Sequence, residues 1–313
     1  MQNRVLSGVA SLCLGILVFS VQDGLIKAIS SVYPVTQALA IRALVALPIL
    51  LALVHYQVGL GALASQRIGF LTARAAILFG AYTAYYLAIA AMPMADAVAL
   101  FFMAPLFIMI LAGPCLGERV GGRTLATVLV GLAGVLVMLR PGVGLFDWAS
   151  LLSLLSAALY ASAQLMARKM GDTEAASVIT FYQNGFYLVG SLLVAGVFMI
   201  SGFTDSGHAS LRFLVRPWVV PTFSDFLMMA ACGVIAAAGM MLLSQAYRLA
   251  PANRVATFEY TGILWAPLWG FLFFAEIPQP MTVAGAALII GAGIFALNAA
   301  ARPLAAARQP ESS

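Results

Sequence analysis

Few residues of this 313-residue chain can do chemistry, and most of them lie inside apolar stretches. Asp23 and Lys27 stand four apart, a spacing at which an acid and a base meet along one helical face. The pair is either a neutralised couple near the outer end of a helix, with Lys27 reaching to water, or functional, as a polar wall of a substrate cavity or a proton site at Asp23. Arg42 offers a planar fork of donors suited to a carboxylate or an imide carbonyl, and otherwise a structural partner for Asp23. Glu259 is the most isolated acid of the second half, since Arg254, five positions earlier, turns away from an ideal pairing. Burial disfavours a charged carboxylate, which makes Glu259 a candidate proton-coupling group; the alternative is an acid bonded to a neighbouring helix.

Tyr82 and Tyr86, with Tyr85 beside them, and Trp265 and Trp269 form i,i+4 aromatic faces. Such faces are packing by default. Turned inward, they would sandwich a flat ring, leaving Gln164, Gln183, Asn184 and Gln245 to bond its polar edge. The same amides serve equally well as glue between helices. Glu118 and Glu276 sit at helix ends and read as structural or gating caps. The chain has no HExxH, GxSxG or nucleotide-binding GxxxxGK[ST] motif, and its two histidines, His55 and His208, lie near a helix end and in a long link. The expectation is therefore no catalytic centre, no metal, no cofactor and no ATP-driven step within this chain. Cys13, Cys115 and Cys232 are dispersed through apolar segments and read as small packing residues.

These residues must be positioned by elements that live in lipid. The chain is 63% hydrophobic and 9% charged, with a mean hydropathy of +1.02. A soluble domain carries about 25% charged residues. The composition excludes a disordered chain, a disulfide scaffold and an ordinary soluble enzyme. The net charge of +5 forms no basic stripe, so no nucleic-acid partner is expected. A spanning helix needs about 20 mostly apolar residues. Breaking the sequence at charges, prolines and polar clusters predicts ten spans, at 5–29, 34–55, 69–91, 94–116, 122–140, 147–168, 175–201, 223–247, 252–274 and 279–300. The first is too long for the apolar region of a signal peptide. The longest link, near 201–225, is polar.

With the N-terminus inside, Arg4, Arg67, Arg74, Arg119, Arg123, Arg168, Lys169, Arg248, Arg254, Arg302 and Arg308 fall on the inner side. Lys27, Arg42, Arg140, Arg212 and Arg216 fall on the outer side or at outer helix ends. Both termini are thus expected in the cytoplasm. The sequence also repeats. Pro93, Met94 and Glu118 recur as Pro251, Ala252 and Glu276, while Phe19, Asp23 and Lys27 match Tyr160, Gln164 and Arg168. Five helices per repeat, 1–140 and 141–313, give the second copy opposite polarity, an architecture of secondary transporters with a site at the repeat interface. The fold class expected is an all-α integral membrane protein of ten transmembrane helices in two inverted five-helix repeats. Small faces such as Gly131-Leu132-Ala133-Gly134 and Gly285, Gly291, Gly293 suit a scaffold or a homodimer surface.

Met92-Pro93-Met94-Ala95-Asp96-Ala97-Val98-Ala99-Leu100-Phe101-Phe102, Ala104-Pro105-Leu106, Gly117-Glu118-Arg119, Gly131-Leu132-Ala133-Gly134-Val135 and Leu139-Arg140-Pro141 form a pattern that resembles the EamA branch of the drug/metabolite transporter superfamily. The resemblance covers about residues 5 to 300. It implies a permease of the bacterial inner membrane, moving a small metabolite by alternating access, with a coupling proton as a possible partner. Phe19-Ser20-Val21-Gln22-Asp23 and the short N-terminus are similar to riboflavin transporters of that superfamily, which implies riboflavin uptake; export of amino acids or related metabolites is the other expectation. One departure stands out. Second halves of this family often carry Leu-Glu-Pro about one turn nearer the terminal Glu, where this chain has Phe258-Glu259-Tyr260-Thr261-Gly262, so the resemblance gives Glu259 no role. A structural membrane protein without transport is the remaining alternative, disfavoured by the repeat and its buried polar groups.

Overall fold

The computed structural model describes residues 2–116, 122–139, 147–170, 174–204, 207–249 and 261–306, and the helices named below make up the fold among them. In hydrocarbon no water is available to backbone N–H and C=O groups, so an apolar run must satisfy them internally as helix. The helices are α1 (Gln2–Ile29), α2 (Val35–Val58), α3 (Ile68–Ala91), α4 (Met94–Phe101), α5 (Ala104–Leu116) and α6 (Gly122–Leu139), then α7 (Trp148–Met170), α8 (Ala176–Ser201), α9 (Ala209–Val215), α10 (Phe223–Leu249), α11 (Gly262–Phe274) and α12 (Pro280–Ala306). Among the described residues, stretches in α1, α2, α3, α7, α8 and α10 are long and apolar enough to cross a bilayer.

Three features depart from expectation. The stretch 94–116 is not one helix: α4 stops at Phe101 and α5 starts at Ala104. Pro105 has no N–H for the carbonyl four residues earlier, and the chain passes the gap with a tight bond from Met103 N to Leu100 O (3.1 Å). The link after α8 contains the short helix α9, entered through the left-handed Gly202 (φ 68°). Arg74 is no loop charge: it lies in α3, 6% exposed, and so drops out of the inner-side count.

The packing pairs recur in a regular way. α1 lies along α10 as α3 lies along α7; α2 meets α10 as α3 meets α8; α11 leans on α1 as α4 and α5 lean on α7. α2 also packs on α8, α4 on α11, and α6 on α12. The main core gathers Ile26, Leu39, Tyr86, Leu100, Phe102 and Leu106 from α1 to α5, with Ala266 and Ile289 from the last two helices. The small-residue face of α6 is used within the chain. A Cβ on Gly134 would stand 2.8 Å from Gly285 O and 2.9 Å from Ile289 Cγ1, so the backbones of α6 and α12 approach as only glycine permits.

The contact of α2 with α10 is closer still. A Cβ on Gly233 would lie 2.6 Å from Arg42 O and 2.8 Å from Val45 Cβ. Gly233→Ala is expected to push the two helices apart at a cost of about 1–3 kcal/mol, an overpacking penalty. Thermal unfolding of the purified protein in detergent measures it; an unchanged midpoint would mean that the helices separate freely there.

Candidate functional site

Five helices, α1, α2, α3, α8 and α10, surround a small cavity. Apolar residues Phe19, Leu50, Ala236, Ala237 and Met240 line it together with Arg42, Tyr82, Thr180, Gln183, Asn184 and Tyr187. At 1.5 Å rise per residue, Arg42 lies about 10 Å from the Val35 end of α2 and Leu50 about 22 Å from it. The cavity therefore runs from mid-helix toward the far ends of α2 and α10.

Arg42 is 4% exposed, and among the described residues it has no ion-pair partner. Its Nη1 donates to Tyr86 Oη (3.2 Å), the guanidinium carbon lies 5.1 Å from the centre of the Tyr187 ring, and Nε has no hydrogen-bond partner. Gln22, fully buried on α1, completes the cluster. With its amide oriented to satisfy both ends, its oxygen accepts from Tyr86 Oη (2.6 Å) and Arg42 Nη1 (3.1 Å), while its nitrogen donates to Cys232 O (3.0 Å). The other wall repeats this chemistry. Gln183 donates to Tyr187 Oη (3.0 Å) and accepts from Arg74 Nη1 (3.4 Å); Arg74 Nε donates to Ala163 O (3.2 Å). Asn184 ties α8 to α2 by donating to Ala43 O (2.8 Å).

The reading of Asp23 and Lys27 as a neutralised pair is corrected, while Arg42 acts on Asp23 through its charge without an ion pair in range. Tyr85 Oη donates to Asp23 Oδ2 (3.0 Å), and Lys27 turns to the other side of α1. Its Nζ meets Glu276 Oε1 at 2.6 Å, donates to Met92 O (2.8 Å) and lies 5.3 Å from the centre of the Phe274 ring. Glu276 Oε2 accepts from Met94 N (3.0 Å), capping α4 rather than its own helix. Ala275, the residue before it, holds a left-handed backbone (φ 53°), which costs a non-glycine residue about 1–2 kcal/mol. One carboxylate thus joins the end of α1, the α3–α4 turn and the α11–α12 turn. On the same side, the 201–225 link is stitched down: Trp218 Nε1 donates to Thr36 Oγ1, Gln37 exchanges two bonds with Val219, Tyr33 donates to Asp225, and His208 pairs with Asp147.

The aromatic prediction is corrected in part. Tyr82 lines the cavity, 6.1 Å between ring centres from Tyr86 and from Tyr187. The tryptophans do not face it. Trp269 donates to Ser20 Oγ (2.9 Å) and stacks on Phe273, while the Trp265 indole N–H is buried without a partner. Gln164 is half-buried on α7, away from the cavity lining. Glu118, Glu259 and the side chain of Gln245 lie outside the described residues. Gln22, Arg74, Thr180 and Tyr187 were missed. Tyr187 stands four residues after Gln183, the same spacing that singled out Tyr82 and Tyr86. Among the described residues no His/Cys/Asp/Glu group suited to a metal occurs.

Removing one partner of the Lys27–Glu276 pair leaves a half-buried charge without its counterion. Lys27→Met is expected to cost roughly 3 kcal/mol, and the double variant Lys27→Met/Glu276→Gln to recover part of it. Unfolding midpoints of the wild type, Lys27→Met, Glu276→Gln and the double variant measure this; additive losses would mean that the two charges do not interact.

The profile of the EamA-like transporter family matches residues 6–140 and again 147–298. The pseudopaline exporter CntI of Pseudomonas aeruginosa is 31% identical over 294 residues, covering 92% of this chain and 95% of that one. A riboflavin transporter of Rhizobium johnstonii is 29% identical over 215 residues (69% and 65%), and an S-adenosylmethionine uptake transporter of Rickettsia prowazekii is 24% identical over 290 residues (93% and 92%). A solved crystal structure, 19% identical, superposes with a TM-score of 0.62 over 97% of this chain and 99% of its own, which shows the shared fold.

Proposed function

The chain belongs to the EamA-like transporter family, and from that membership we propose a secondary transporter that carries a small metabolite across the bacterial inner membrane by alternating access. One observation carries the reading: the cavity is walled jointly by α1–α3 and by α8 and α10, with polar side chains from both groups converging inside it. The ten-helix, two-repeat reading is supported by the double match to one family profile and by packing pairs that exchange when each segment is replaced by the one five later. In that reading the helices move as two inverted halves about a midplane site. The Lys27–Glu276 joint and the stitched link hold one mouth shut in the conformation described. Both termini are read as cytoplasmic, which puts that closed mouth outside.

Two substrate readings follow from particular observations. Export of an amino-acid-like metabolite is favoured by the buried, unpaired guanidinium of Arg42 in the cavity wall. The exporter among the relatives, matched over 92% of this chain, supports that direction. Riboflavin uptake is favoured by the tyrosine wall of Tyr82, Tyr86 and Tyr187, whose flat faces suit a ring, and by the riboflavin transporter among the relatives. Asp23, bonded to a single tyrosine, is the described acid best placed to carry a coupling proton.

Uptake of labelled riboflavin at low concentration by a riboflavin-requiring bacterium lacking flavin uptake separates these readings. Saturable entry would assign the flavin and the inward direction. Loss of a compound from cells into the medium, without flavin entry, would assign export. Asp23→Asn and Glu259→Gln are each expected to slow transport of whichever compound is moved by at least about tenfold, at matched membrane levels. Each tenfold corresponds to ~1.4 kcal/mol of barrier. Wild-type rates in both would remove these acids from coupling.

A further inference from the structure

We infer that Arg42 is the receptor for a carboxylate on the transported molecule, so that the substrates of this protein are carboxylate-bearing metabolites rather than neutral ring compounds. The inference rests on the transport reading and narrows its substrate class. Two buried guanidinium groups, Arg42 and Arg74, flank the wall formed by Gln183 and Tyr187, and among the described residues neither has a carboxylate in ion-pair range. The described acid nearest in the fold, Asp23, is engaged by Tyr85. An ionised side chain at bilayer depth is costly, and more so where no counterion stands in ion-pair range. The protein thus holds a standing positive charge beside an opening.

The geometry selects the shape of the anion. Tyr187 covers the face of the Arg42 guanidinium, and Tyr86 with Gln22 takes Nη1 on one edge. The Nε edge is left without a partner, on a side chain that lines the cavity. A group approaching in that plane can accept two parallel bonds from the fork, the geometry in which a guanidinium binds a planar carboxylate best. Arg74 does not line the cavity. It holds Gln183 by a bond to its amide oxygen and adds its charge from behind the wall. A neutral ring would leave the Arg42 fork without an anion in ion-pair range; a carboxylate fills that place.

The test uses the full chain purified in detergent, with sodium benzoate and benzamide as probes at equal ionic strength. A ligand that binds the folded state raises the unfolding midpoint. Benzoate is expected to raise it and benzamide to leave it unchanged. Arg42→Gln is expected to abolish the benzoate shift while keeping a cooperative transition of its own. Arg42→Lys, a point charge without the fork, is expected to weaken benzoate at least about tenfold. Equal shifts by benzoate and benzamide, a shift by inorganic phosphate but not benzoate, or a wild-type benzoate shift in Arg42→Gln would overturn the assignment. Profiling metabolites in cells and medium after expression of the wild type and of Arg42→Gln provides the second arm. Redistribution of acidic compounds that is lost in the variant supports the inference; redistribution of riboflavin or another non-acidic compound, undiminished in the variant, overturns it. No redistribution by a properly inserted wild type would sink the transport reading instead, while the benzoate shift still reports on Arg42.

Discussion

A chain that crosses lipid has no water to finish its hydrogen bonds, and each departure from regular helix has to be met from elsewhere in the molecule. That constraint organises this protein. At the α3–α4 turn, the free carbonyl of Met92 and the free N–H of Met94 are met by Lys27 and Glu276. Ser153 reaches Ala97 O just ahead of the break between α4 and α5. Ser210 on α9 reaches Leu87 O near the end of α3, and Asn184 reaches Ala43 O in the turn preceding the interior Pro48 of α2. Each such bond ties one segment to another far away in sequence. The irregularities that a transport cavity requires are therefore also the points at which the helices are joined.

Arg42 departs from this economy in its charge. Its neighbours satisfy only part of the guanidinium, and what they supply is aromatic and amide rather than acidic. Tyr86 serves two masters: it accepts from Arg42 and, through its hydroxyl hydrogen, donates to Gln22. A buried polar network with an unfilled position is costly as a permanent arrangement. It makes sense where the missing member arrives and departs.

Much of the fold was legible because it rests on one-dimensional signals. Apolar run length marks the segments from 5–29 to 279–300, and the described helix ends fall within a few residues of most of those limits. Glu276 and Lys27 were both singled out, yet their meeting was not, because the partners lie 249 positions apart and the local rule offered Asp23 instead. The α4–α5 break escaped notice because hydropathy runs unbroken across Phe102 and Met103; only Pro105 announces it. Arg74 counts toward the inner side by its charge, yet it lies within the span 69–91 and the helices around it leave it 6% exposed. Half of the cavity polar lining follows from the i,i+4 aromatic and amide rules, while Tyr187 is hidden amid apolar neighbours and Gln22 beside the charged Asp23. Side-chain direction around a helix is what the sequence lacks: it leaves open which aromatic faces point inward, and the structure puts Tyr82 on the cavity and Trp265 and Trp269 in packing.

The glycine at position 233 has a mechanical meaning. Where α10 touches α2, the contact is with the backbone carbonyl of Arg42 itself, at a separation that admits no side chain. Two rods pressed together at one point can turn about it far more readily than they can part there. A pivot at this contact would lie at Arg42. If α2 and α10 rock, their ends sweep widely while the guanidinium scarcely travels, so the charged group keeps its place as the membrane faces exchange access to it.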